Sequence, residues 1–368
     1  MNLYWPVYKQ LEKEVIDLTR FIQFDDRQLG TYSLTMAELI IRCTVEIEAI
    51  TKELYLREGG EPNPTEQILV KKTALESDST STSEQEIQAE VQTVPRRLYF
   101  DTDCMRLLVE KWAIDRKEII IHSPNMYFSE NRRVLIPLHK AHRRGSSGAK
   151  WEQAYQAIKH NRSQSMDKAN VENLLNVLGA LFILNIYYFD ETYWIESPLQ
   201  NRSKFDPQVS EIFTAPVYDG TNIAMSTQMG DAQNEGVDLQ EAEKYVFIKK
   251  LTADACRNIH DAMSADELRF YFEVTTSEKY KTYIKEHPED SAKSYIDIAP
   301  KLGFKSYLYF TGSTSRSGKA INDNLGQQEV VLNKVKADGK LYETLRYDDF
   351  LNTDEAKAIV MMYREKMQ

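Results

Sequence analysis

A chain of 368 residues, 42% hydrophobic and 11% aromatic, has the length for two domains and the apolar material for two cores. Its net charge of −10 excludes a protein that coats nucleic acid over its whole surface, and no stretch reaches about 18 uncharged apolar residues, so no membrane span is expected. The three cysteines, Cys43, Cys104 and Cys256, stand far apart without metal-ligand spacing, which argues against a disulfide framework and fits a reducing, cytoplasmic setting.

The opening MNLYWPVYKQLEKEV is charged early and has no apolar leader run. Leu11, Val15, Leu18 and Ile22 recur at helical spacing and predict a helix over 3–23. After the turn DDRQLG, Ser33 is placed to cap a second helix striped by Leu39, Cys43, Ile47, Ile50 and Leu54, which Gly59-Gly60 ends. PNPTE and SDSTSTSEQE then change the composition, so residues 58–95 are expected to be a disordered insertion. A short helix is expected over 101–112. KEIIIH (117–122) and RRVLIPL (132–138) read as strands that pair in a small hairpin, followed by the loop RRGSSGAK (143–150).

A helix from Trp151 carries Ala154, Tyr155 and Ile158 on one face. Carried on for eleven residues at about 100° each, it brings Arg162 back to within about 20° of Trp151, along the buried stripe. The next helix, 168–189, is apolar on nearly every side and reads as a central helix covered by neighbours. Residues 196–240 are polar and turn-rich, the expected linker. Strands are expected over 244–250, 268–275, 305–310, 328–335 and 340–347, the last two joined by a turn at 337–339. Helices are expected over 252–264, 277–285, 291–301 and 354–367, the last capped by Thr353. The fold class is therefore α+β: a mainly helical N-terminal part over 1–195 with a small hairpin, and an α+β domain of unassigned role over 241–368.

Charge is distributed unevenly. From Arg132 to Lys168 the chain holds nine Lys or Arg against two acids, Glu152 and Asp167, with His139, His142 and His160 in addition. A basic island in an acidic protein points to an anion site, with Arg143, Arg144, Lys150 and Lys168 as candidate RNA or phosphate ligands. At its centre lies KHNR, residues 159–162. Three readings stand. Arg162 braces a helix end or pairs with Glu46 or Glu48. The cluster binds phosphates without reaction. Or it is catalytic, with His160 as general acid or base, Arg162 and Lys159 stabilising charge and Asn161 beside them.

The segments TVEIEAITKELY, KHNR and ANVENLLNVLGALFIL, in this order over residues 1–195, resemble the HEPN superfamily of bacterial abortive-infection and toxin proteins. The resemblance implies a helical bundle, homodimerisation through it and, in many members, metal-independent ribonuclease activity. The family's active members carry an Arg, then a polar residue, with a His four to six positions after the Arg. Here SQSMDKA follows Arg162 and the histidine precedes it, so the motif is not reproduced; Arg116 to His122 and Arg133 to His139 match only literally. The expectation is a cytoplasmic, RNA-directed bacterial protein, a ribonuclease of toxin or phage-defence type. The alternative is a non-enzymatic dimerisation module whose C-terminal domain binds an unidentified protein.

TGSTSRSGKA (311–320) has one residue too many between its glycines for a P-loop, and Ala320 replaces the metal-binding hydroxyl. It reads as a Ser-rich loop, or as a backbone anion nest. No H-E-x-x-H, paired C-x2-C or G-x-S-x-G motif occurs, so no metal, no cofactor and no serine-hydrolase chemistry are expected.

Overall fold

The computed structural model describes residues 3–71, 89–195, 210–221, 239–305, 316–334, 336, 341–343 and 345–367. The chain forms two units, Met1–Phe189 with Pro207–Thr214, and Asp190–Asp206 with Ala215–Gln368. The fold is α+β, rich in helix, with small sheets.

In the first unit, helix α1 (Tyr4–Leu18) buries Tyr8, Leu11 and Val15. A two-residue strand β1 (Phe24–Asp25) follows. Ser33 then caps α2 (Leu34–Arg57), its hydroxyl accepting from the Met36 N–H at 3.1 Å. The 58–95 stretch departs from its expected disorder. Strands β2 (Thr65–Lys71) and β3 (Ala89–Pro95) pair antiparallel with Thr65 opposite Pro95; residues 72–88 lie outside the described residues. TEQILVK and AEVQTVP each mix β-branched and polar residues in strand-length runs, and the Ser/Thr-rich composition between them hid that signal.

A π-helical turn, Phe100–Met105, runs into α3 (Arg106–Trp112). Strand β4 (Ile119–Ile121) precedes β5 (Met126–Tyr127), which pairs in parallel with β1. One turn of helix, α4 (Glu130–Arg133), leads into β6 (Val134–Leu135), and β4 and β6 form the expected hairpin. Helix α5 (Lys150–Asn161) and helix α6 (Val171–Phe189) complete the bundle. By length and composition α6 could cross a membrane, but 83% of its most apolar window is buried inside this unit, as a core helix's would be. It packs on α1, α2 and α5. Its Gly179 allows close approach to the hairpin: a Cβ there would stand 2.7 Å from Ile119 and 3.0 Å from Pro137. Phe182 bridges outward, with ring centroids 5.7 Å from Tyr8 and 5.7 Å from Phe213.

The stretch expected to be a linker is partly structured. Before it, β7 (Tyr193–Ile195) already belongs to the second unit. Then β8 (Phe213–Thr214) returns to pair with β4 in the first, and β9 (Val217–Asp219) adds to the second. A buried carboxylate holds the returning segment. Glu12 accepts from the Glu211 N–H at 2.8 Å, the Ile212 N–H at 3.2 Å, the Tyr8 hydroxyl at 3.1 Å and the Ser210 hydroxyl, with Lys9 on its other oxygen.

In the second unit, a short helix α7 (Leu239–Ala242) precedes β10 (Phe247–Leu251). The sheet order is β7-β11-β10-β9, with β11 (Gln328–Leu332) antiparallel to both β7 and β10, and β9 parallel to β10. The long α8 (Ala253–Thr275) overturns the strand expected over 268–275. Leu268 and Phe272 face one apolar cluster with Phe350 and Ile359, while Phe270 and Val274 face another with Ala299 and Phe304. A helix covered on opposite sides shows an alternation that reads as a strand. Helices α9 (Glu278–Glu286), α10 (Tyr295–Ile298), α11 (Arg316–Asn324), α12 (Tyr347–Leu351) and α13 (Asp354–Met367) complete this unit. The Thr353 hydroxyl accepts from the Ala356 N–H at 3.2 Å, the expected cap. Of 340–347, the described residues form no strand, and Tyr347 opens a helix; the strand core at 306–310 and the turn at 337–339 lie outside the described residues.

Candidate nucleic-acid interface

Helix α5 is fixed on its buried side. Trp151, Ala154, Tyr155 and Ile158 are buried, and the Trp151 indole donates to the Pro137 carbonyl at 2.7 Å. The helix ends at Asn161, whose φ of −148° and ψ of 63° break the spiral, and two 3-10 turns follow, Arg162–Gln164 and Met166–Lys168. This break corrects the expected course of Arg162. Extrapolated helix would have kept it on the Trp151 face; instead it turns outward and is exposed, as are Lys159, His160, Asn161 and Lys168.

The cations at this end differ in their ties. Lys159 lies 3.4 Å from the Tyr155 hydroxyl and 5.3 Å from its ring centroid. Asn161 donates to the Gln164 side chain at 2.7 Å, which stabilises the turn. Among the described residues His160, Arg162 and Lys168 have no side-chain partner; Arg162 pairs with neither Glu46 nor Glu48, and no bond joins it to His160.

The other phosphate-ligand candidates sit at the start of α5, and structure occupies them. Arg144 places Nε 2.7 and 2.9 Å from the two Asp101 carboxylate oxygens, with its guanidinium 3.6 Å over the Tyr99 ring. Lys150 lies 3.5 Å from Glu172, and the Arg143 Nε lies 3.4 Å from the His142 ring. Burial holds the His142 ring below the ordinary histidine range despite Asp115 at 3.8 Å.

Sequence reasoning missed Glu152. Its Oε2 is occluded and receives no hydrogen bond. Burial, then the neighbouring Asp101 and Glu48 carboxylates, push its pKa up to about 8, against the pull of Arg144. The available signal was its position, an acid inside the basic island and seven residues before Lys159 on the same helix face.

Among the described residues no group of three or more His, Cys, Asp or Glu is arranged to hold a metal ion. Cys43, Cys104 and Cys256 are buried, and burial pushes their thiols up to about 12, 11 and 11, which removes them as nucleophiles at neutral pH. The 311–320 segment is described only from Arg316, where α11 begins. No family model matches the chain, and neither the curated proteins nor the solved structures contain a match.

Proposed function

We propose that the protein binds RNA through the exposed end of α5, as an RNA-directed protein of the cytoplasm. One observation carries this reading: in a chain of net charge −10, the permanent cations Arg162 and Lys168 stand at a helix end exposed and without a side-chain partner among the described residues. Fixed cations left open to solvent attract phosphates, and release of the counterions there drives association. The fully buried face of α5 holds the backbone beneath these side chains still. The resemblance of the surrounding helices to HEPN proteins supports RNA as the polyanion, and three reduced cysteines suit the cytoplasm.

The reading stops at binding. Proton transfer by His160 requires a ring held within hydrogen-bond reach of its target, and no side chain orients that ring among the described residues. The test is fluorescence anisotropy with a labelled single-stranded RNA. Arg162→Ala and Lys168→Ala are each expected to weaken binding alike across RNA sequences. Lys301→Ala, which removes an equal charge from a pair with Asp290 in the second unit, is expected to leave it unchanged. Equal affinity of all four proteins would overturn the reading, as would a parent that binds no RNA.

A further inference from the structure

Lys159 and Glu152 occupy the same face of α5, almost two turns and about 10 Å apart along its axis. An RNA strand that engages Arg162 and Lys159 and continues along this helix therefore meets Glu152 before it reaches the start of the helix. What Glu152 presents to that strand depends on its proton. One oxygen, Oε2, is sealed from solvent and has no donor, and an ideal Cβ on Gly148 would lie 3.2 Å from it. The groups around it come from three further elements: Glu48 from α2, Asp101 from the π-helical turn and Arg144 from the loop before α5. Two of these three are carboxylates, and the third, Arg144, is already engaged by Asp101. Glu48 is itself raised by burial, with Lys159 and Arg97 opposing. A carboxylate with one oxygen cut off from donors and two like charges nearby is costly to ionise, so the group retains its proton.

We propose that Glu152 is a proton-operated gate on the RNA-binding face: neutral, it lets a phosphate backbone run along α5 past Lys159 toward the start of the helix; ionised, it bars that path. The inference rests on the reading of the α5 end as an RNA site and adds its regulation. The elevated pKa of Glu152, about 8, places the change just above neutrality. Ionisation there sets a fixed negative charge beside the passing phosphates, where a like-charge contact in a partly desolvated setting counts for more than at an open surface. The end at Arg162 and Lys168, beyond Glu152, keeps its own affinity in either state.

The experiment compares two single-stranded RNAs of equal composition, one of about five nucleotides and one of about twelve, at about pH 7.5 and about pH 9, above the ordinary histidine range. Ionic strength is held constant. The parent is expected to lose roughly threefold or more in affinity for the longer RNA as pH rises, while the shorter one changes little. Glu152→Gln, and Glu152→Ala as a second charge-free variant, are expected to bind the longer RNA equally at both pH values. Melting curves show which variants are folded. A parent that binds RNA with no change between the two pH values, or charge-free variants that weaken as the parent does, would overturn the gate and leave the RNA site standing. Absence of binding by the parent at the lower pH would overturn both.

Discussion

A carboxyl group that loses water without gaining a donor keeps its proton, and Glu152 shows the consequence for stability as well as for binding. In the unfolded chain it ionises near the usual 4.5; folded, it does so at about 8. Between those values the folded state holds a proton that the unfolded chain has released. Stability therefore falls as pH rises from about 4.5 to about 8, and levels off above. Glu152→Gln removes this dependence. Urea denaturation at pH 5 and pH 8 should show the variant gaining on the parent by about 1–2 kcal/mol at the higher pH, after allowance for its partial exposure. Equal gaps at the two pH values would show that Glu152 is ionised in the folded protein. None of this was legible in sequence, because it depends on Asp101 and Glu48, which lie about fifty and a hundred positions before Glu152. Arg162 failed for a different reason: its exposure follows from one break in backbone geometry at Asn161, which helical periodicity does not encode.

Helix α6 was the most legible element, since an apolar surface on nearly all sides has few solutions other than a covered helix. Its buried residues include Leu174, Leu178, Leu181 and Phe182, all fully removed from solvent. Leu178→Ala should cost about 2–5 kcal/mol through lost burial and the residual cavity, measured by urea denaturation. A loss below about half a kcal/mol would place this side chain outside a packed core. The hairpin of β4 and β6 and the capped starts of α2 and α13 were legible for the same reason: each rests on neighbours in sequence. Helix α8 was misread because Leu268, Phe270, Phe272 and Val274 alternate. Only the two clusters on its opposite sides, built partly from residues some thirty to ninety positions later, explain why an alternating run is helical.

The path of the chain through the molecule was the least legible feature. It leaves the first unit after Phe189, contributes β7 to the second, returns with β8 and leaves again with β9. The polar composition of 196–240 reads as a linker because the return rests on few residues, and on a partner far back in the chain, the buried Glu12. Glu12→Ala would leave the Glu211 N–H without its acceptor and reduce the Ile212 N–H and the Tyr8 hydroxyl to their bonds with Ser210, at a cost of about 1–3 kcal/mol. The variant should also be cut by protease within 210–214 faster than the parent; unchanged cleavage would show that β8 holds the segment without Glu12. The organisation of charge acts over the same range. In an acidic chain, exposed cations set close together at one helix end are the feature to test. The decisive measurement is the dependence of RNA affinity on salt for the parent and for the double variant Arg162→Ala/Lys168→Ala. If the α5 end binds phosphates, the slope of log affinity against log salt should fall by about 1.4 for single-stranded RNA in the double variant, with affinity reduced for every RNA tested. An unchanged slope would place the contact elsewhere and contradict an RNA site at the end of α5.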